Sequence, residues 1–117
     1  MIERLNVEPV SVIVHMDRYL IGSENLSLNA KEEFTDLCRS SGSTIGAEVF
    51  GKIDKPTSNY FIKAGKVEEI KTFVKELSAD LVIFNNALSP SQERNLEKAF
   101  GTRVLDRTSL ILDIFAT

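Results

Sequence analysis

The 117-residue sequence has few of the side chains that staple or metallate a small domain: one cysteine, Cys38, and one histidine, His15. A lone cysteine excludes an internal disulfide, and the two together leave no cluster for a structural zinc, so no metal site is expected. No apolar run approaches the ~20 residues that cross a bilayer. The start, MIERLNVEP, lacks the basic-then-apolar order of a secretory signal. A cytoplasmic domain with no membrane partner is the expectation. Basic charge is not in excess either: 14 Lys and Arg against 17 Asp and Glu give a net charge of −3, which argues against wrapping nucleic acid by charge alone. Internal repeats, low-complexity tracts and a Pro/Gly/Ser-rich linker are also missing, so nothing divides the chain.

What is present fits one ordinary domain, residues 1–117. Hydrophobic residues make up 43% and charged residues 26%, enough to bury a core. Charge is uneven. Residues 1–50 hold 4 basic and 8 acidic side chains, whereas residues 51–117 hold 10 and 9. Lys52, Lys55, Lys63 and Lys66 crowd a stretch with Asp54 as its only acid, a candidate anion-binding surface.

The pattern alternates. VSVIVHM (10–16) is a β-branched run suited to a strand buried on both faces. A polar connection through Gly22 leads to a helix over 29–41, with Ala30, Phe34, Leu37 and Cys38 on one face. Asn29 and Glu32 occupy capping-box positions, and Gly42 is the stop. TIGAEVF (44–50) reads as a strand, GKIDKPTSN (51–59) as a loop and YFI (60–62) as a possible short strand. Residues 64–78 place Val67, Ile70, Phe73, Val74 and Leu77 on one helical face. LVIF (81–84) is a strand. Ser89, Pro90 and Gln92 then form a strong helix start, Leu96, Ala99 and Phe100 face inward, and Gly101 ends the helix. RVLD (103–106) is the fourth strand. Thr108 is placed to cap a last helix, and the apolar SLILDIFAT continues to the final residue without a stop signal.

Strands alternating with helices predict an α/β domain: a parallel sheet of about four strands, helices on both faces. Ligands in such sheets meet the carboxyl ends of the strands, which here offer His15, Asp17, Asn85, Asn86, Asp106 and Arg107. Asp17, Asn86, Asp106 and Arg107 form the candidate ligand edge, although an ion pair fixing the last helix is the favoured role for Asp106 and Arg107. Gly46–Ile53 matches a phosphate-binding loop until Ile53, where the pattern needs a magnesium-binding hydroxyl. It is read as a strand and turn. Ala64-Gly65-Lys66 opens a helix whose N-terminus and lysine suit a phosphate. Arg94 and Asn95, on the polar side of the third helix, are further RNA-contact candidates. His15 has no neighbouring nucleophile and Cys38 lies on an apolar helix face, so both read as packing residues. No catalytic residues emerge.

Residues 85–116, NNALSPSQERNLEKAFGTRVLDRTSLILDIFA, closely resemble the signature of the amino-terminal domain of the HflX family of ribosome-associated GTPases. The Leu-Ser-Pro-x-Gln-x-Arg-Asn-Leu-Glu run is matched by Leu88–Glu97. The Val-Leu-Asp-Arg-Thr-x-Leu-Ile-Leu-Asp-Ile-Phe-Ala run is matched by Val104–Ala116. AGKVEEI (64–70) is similar to the family's Gly-x-Gly-Lys-x-Glu-Glu segment, with Lys63 in place of the first glycine. The resemblance implies an α/β domain preceding a helical linker and a GTPase domain. GTP and magnesium are expected only in that missing GTPase domain, so this fragment carries no cofactor and is not itself an enzyme. It implies three partners: the large ribosomal subunit, its RNA, and the parent's own linker and GTPase domain, in ribosome splitting or rescue. Lys52, Lys55, Lys63, Lys66 and Arg94 are the candidate RNA contacts. The alternatives are an ATP-binding domain and an intramolecular regulator of the GTPase domain.

Overall fold

The run Val10–Arg18 (β1) is extended because β-branched residues suit a pleated strand buried on both faces. The computed structural model describes residues 9–18 and 28–116, and of the side chains excludes Arg18, Leu28 and 113–116. The N-terminal stretch, the connection through Gly22 and most of the terminal apolar run's side chains lie outside it. After β1 come helix α1 (Leu28–Ser40), strand β2 (Thr44–Ile53), helix α2 (Ala64–Leu77), strand β3 (Leu81–Phe84), helix α3 (Pro90–Phe100), strand β4 (Arg103–Leu105) and helix α4 (Arg107–Ala116).

The four strands form one parallel sheet in the order β2-β1-β3-β4. Alternate residues of the two central strands divide the core between the faces. Val12, Val14, Met16, Val82 and Phe84 pack with Val67, Ile70 and Val74 of α2 and Leu96 and Phe100 of α3. Ile13 and Ile83 pack with Phe34 and Cys38 of α1 and Leu110 of α4. Helices therefore cover both faces. Among the described residues no helix is long and apolar enough to cross a membrane.

Several boundaries differ from the sequence expectation. β1 and β2 both run further, because Met16, Asp17 and Arg18 pair with Gly51, Lys52 and Ile53. Lys52 is thus a strand residue and not part of a loop. The register slips between Ser11 and Val12, leaving Gly46 as the extra residue. A Cβ there would lie 2.8 Å from Val10 Cγ1 and 3.1 Å from Leu77 Cδ1. α1 starts at Leu28, so Asn29 lies inside its first turn and not at its cap. Residues 60–62 form no strand: Phe61 makes a single antiparallel bridge to Thr57, at a positive φ of 67°. Leu77, expected inside, is exposed.

The third helix opens as its sequence demands. Ser89 Oγ accepts from the Gln92 N–H at 3.1 Å, and Gln92 Oε1 accepts from the Ser89 N–H at 2.8 Å. α4 instead starts two residues early. Asp106, not Thr108, caps it, with Oδ1 accepting from the Ser109 N–H at 2.8 Å and Oδ2 from the Leu88 N–H at 2.9 Å. A carboxylate outcompetes a hydroxyl here because it accepts from two backbone donors at once.

Candidate functional site

β1 and β3 are neighbours although their crossovers leave in opposite directions, so the crevice beyond their carboxyl ends is the topological switch point. Two asparagines lace it. Asn86 Oδ1 accepts from the Met16 N–H at 3.2 Å and its Nδ2 donates to the Met16 carbonyl at 2.9 Å, extending the ladder by a side chain. Asn85 Nδ2 lies 3.2 Å from His15 Nδ1, and His15 Nε2 lies 3.1 Å from Glu48 Oε1. With the amide donating to Nδ1, the imidazole proton sits on Nε2 and is donated to the carboxylate. Thr35 Oγ1 donates to the same Glu48 oxygen at 2.9 Å.

His15 is fully buried. Burial lowers its pKa from the ordinary imidazole value, opposed by the hydrogen bond and charge of Glu48. Its ring stacks on Phe50 at 5.0 Å and 18° and meets Phe34 edge-on at 6.1 Å. Phe50 itself is 53% exposed. Lys31 Nζ binds Asp17 Oδ2 at 3.0 Å and lies 5.6 Å from the Phe50 ring centre.

Not every buried polar atom is satisfied. Asn85 Oδ1 has no hydrogen-bond partner among the described residues. Asn85 also lines a pocket of about 190 Å³ between α1 and α4, with Glu33, Phe34, Leu37, Arg107 and Ile111. Apolar Phe34, Leu37 and Ile111 beside charged Glu33 and Arg107 give this pocket the mixed lining of a small-ligand site. Among the described residues no cluster of His, Cys, Asp or Glu is placed to hold a metal.

The sequence candidates are distributed unequally. Lys52 and Lys55 are exposed at the end of β2 and beyond it, and Lys63 is exposed at the cap of α2, where its side chain makes no capping bond. Lys66 is drawn inward: its Nζ donates to the Phe50 carbonyl at 3.2 Å and to Glu69 at 2.8 Å. Arg94 is exposed, whereas Asn95 Nδ2 is tied to the Asn59 carbonyl at 3.0 Å. At the ligand edge, Asp17 pairs with Lys31, Asn86 serves the ladder, Asp106 caps a helix and Arg107 is exposed. Gly46–Ile53 lies wholly within β2, and Ile53 is buried. Cys38 is buried too, its thiol pushed up to about 12 chiefly by desolvation.

Sequence reasoning missed Glu48, Thr35 and Phe50. The signal for Glu48 and Phe50 was the alternation of β2, where Glu48, Phe50 and Lys52 share one face opposite Val49 and Ile53; Thr35, on α1, carried none.

Residues 29–116 match the family described as GTP-binding GTPase N-terminal. The chain is 39% identical over 116 residues to the GTPase HflX of Escherichia coli K12, which covers 99% of this chain and 26% of that protein. It is 48% identical over 77 residues to the GTPase HflX of Caldanaerobacter subterraneus, covering 62% of this chain and 18% of that one. The GTPase HflX of Thermococcus kodakarensis is 43% identical over 86 residues, 74% of this chain and 19% of the relative. The chain thus spans about a quarter or less of each. A GTP-binding protein from Sulfolobus solfataricus, solved in complex with GDP, superposes with a TM-score of 0.67 at 20% identity, over 92% of this chain and 30% of that one. At that identity the likeness concerns the fold alone.

Proposed function

Because the chain belongs to the GTP-binding GTPase N-terminal family, the amino-terminal domain of HflX proteins, we propose that it is the part of such a GTPase that contacts the large ribosomal subunit. The observation that supports this most is the disposition of Lys52, Lys55 and Lys63. All three are exposed along one continuous stretch, from the end of β2 to the start of α2. Lysines held at an element edge and cap suit phosphate contacts. This domain contacts RNA and displays the parent's linker and GTPase domain, where GTP and magnesium bind. In this reading GTP hydrolysis belongs to the GTPase domain; Gly46–Ile53 of this chain is a strand with Ile53 in the core. As such a subunit-binding part it works in the cytoplasm.

Co-sedimentation with separated subunits tests this. The expected outcome is pelleting with the large subunit alone, weakened by salt and lost on exchanging Lys52, Lys55 and Lys63 for glutamine. Unchanged pelleting of that triple variant removes the surface. No pelleting of the unsubstituted 117-residue chain moves the affinity to the other domains and leaves this one as a regulator of GTP turnover.

A second reading rests on the pocket between α1 and α4: the domain holds a small ligand such as ATP there. A ligand bound only by the folded state raises the melting temperature saturably. No shift at millimolar ATP with magnesium excludes it.

A further inference from the structure

Phe50 combines three properties that rarely occur together. It is an aromatic side chain with 53% of its surface exposed. It belongs to the edge strand β2. Its ring is nonetheless held firmly: one face stacks at 5.0 Å on His15, which is itself fixed by Glu48 and Asn85, and the Phe50 carbonyl is held by Lys66. His15 lies on the neighbouring strand towards the centre of the sheet and Lys31 Nζ stands over the ring at 5.6 Å, so the exposed part of the ring is the part turned away from His15, past the sheet edge.

A protein partner would need an apolar patch around such a ring. On the face of β2 that carries Phe50 the register places Ile45, Glu48 and Lys52; Ile45 packs against the α1 cluster, so the positions flanking the ring on its strand are Glu48 and Lys52, and neither is a hydrophobe. An isolated, rigid aromatic in polar surroundings matches the platforms on which unpaired bases stack. Charge agrees. Lys52 follows on the same outward row, and Lys52, Lys55, Lys63 and Lys66 stand against Asp54 alone in their stretch. The nearby carboxylates are engaged: Asp17 with Lys31, Glu69 with Lys66, and Glu48 with His15 and Thr35.

We propose that the outward face of Phe50 is a stacking site for an unpaired RNA base, with the lysines from Lys52 to Lys63 taking the flanking phosphates. This rests on the RNA-contacting reading above and adds the class of RNA: a single-stranded or bulged segment, not a continuous duplex. Selectivity among bases is weak because every base offers a π face.

The chain contains no tryptophan and two tyrosines, so Phe50→Trp supplies a single tryptophan at the site, which can be excited apart from the tyrosines. Titration with a single-stranded oligoribonucleotide is expected to quench its emission. Phe50→Ala is expected to bind that RNA roughly tenfold more weakly, and Phe50→Tyr close to the parent. The salt slope of Phe50→Ala stays unchanged, because no phosphate contact is lost. Circular dichroism checks that each variant folds, and the tryptophan variant keeps the test decisive if the alanine variant does not. No quenching at RNA concentrations that saturate the parent chain overturns the stacking site while leaving the lysine surface standing. Loss of large-subunit pelleting in Phe50→Ala without quenching by free RNA assigns the ring to a ribosomal protein and overturns it as well. Failure of the parent chain to bind any RNA removes both readings together.

Discussion

His15 is the residue at which most of the molecule meets. Its two ring nitrogens are committed to side chains from the end of β3 and from β2, and its faces to Phe34 and Phe50. Because burial lowers its pKa, the folded chain declines a proton that the unfolded chain accepts near pH 6.5. Below that pH the unfolded state therefore binds more protons, and stability falls as pH drops from about 6.5 towards the lower folded value. The melting temperature is expected to decline on acidification from about pH 7.5 to 5.5. His15→Gln flattens this decline while lowering stability at neutral pH. Parallel pH profiles for the two proteins would place the acid sensitivity elsewhere. Gly46 gives a second expectation at this scale. A methyl group at the bulge meets Val10 and Leu77 inside van der Waals distance, so Gly46→Ala costs about 1–3 kcal/mol in urea unfolding.

At the scale of elements, helix starts show how sequence signals succeed and fail. Ser89, Pro90 and Gln92 lie within four residues of chain, and the bonds between Ser89 and Gln92 need no other element, so the start of α3 was legible. The start of α4 was not. Asp106 holds it while also gripping the Leu88 N–H, 18 residues away, and no local pattern announces a tertiary bond. Asp106→Ala is therefore expected to cost more than Ser89→Ala, roughly 2 kcal/mol or more against about 1, because it leaves two backbone donors unpaired. Thr108→Ala is expected to be nearly neutral, and a large loss there would return the cap to Thr108. Strand ends failed for the same reason. Residues 51–53 carry loop composition, but β1 offers them a continuous ladder, and pairing overrides propensity.

For the whole molecule, the alternating order of elements was enough to give the α/β class, because strand and helix periods differ and connections are short. The strand order and the buried cluster were not readable that way. They depend on which strands become neighbours, and His15, Glu48 and Asn85 are scattered over 71 residues of chain. The net charge of −3 also governs how the proposed ribosomal contact behaves. Three exposed lysines release few counterions, so the slope of log affinity against log salt is expected to be only about −2 to −3. A much steeper slope would mean a wider basic footprint than Lys52, Lys55 and Lys63.

The seam between the central strands also sets the order in which the fold can be completed. Val10 with Asp80, His15 with Asn85 and Met16 with Asn86 each join positions 70 residues apart. β1 and β2, by contrast, are joined through α1 and lie closer in the chain. Closing the longer loop costs more chain entropy and is met by β3 sliding in beside β1. Until it arrives, the imidazole of His15 has no partner for Nδ1. The proton resonances of this one ring therefore mark the moment at which the two halves of the chain become a single sheet.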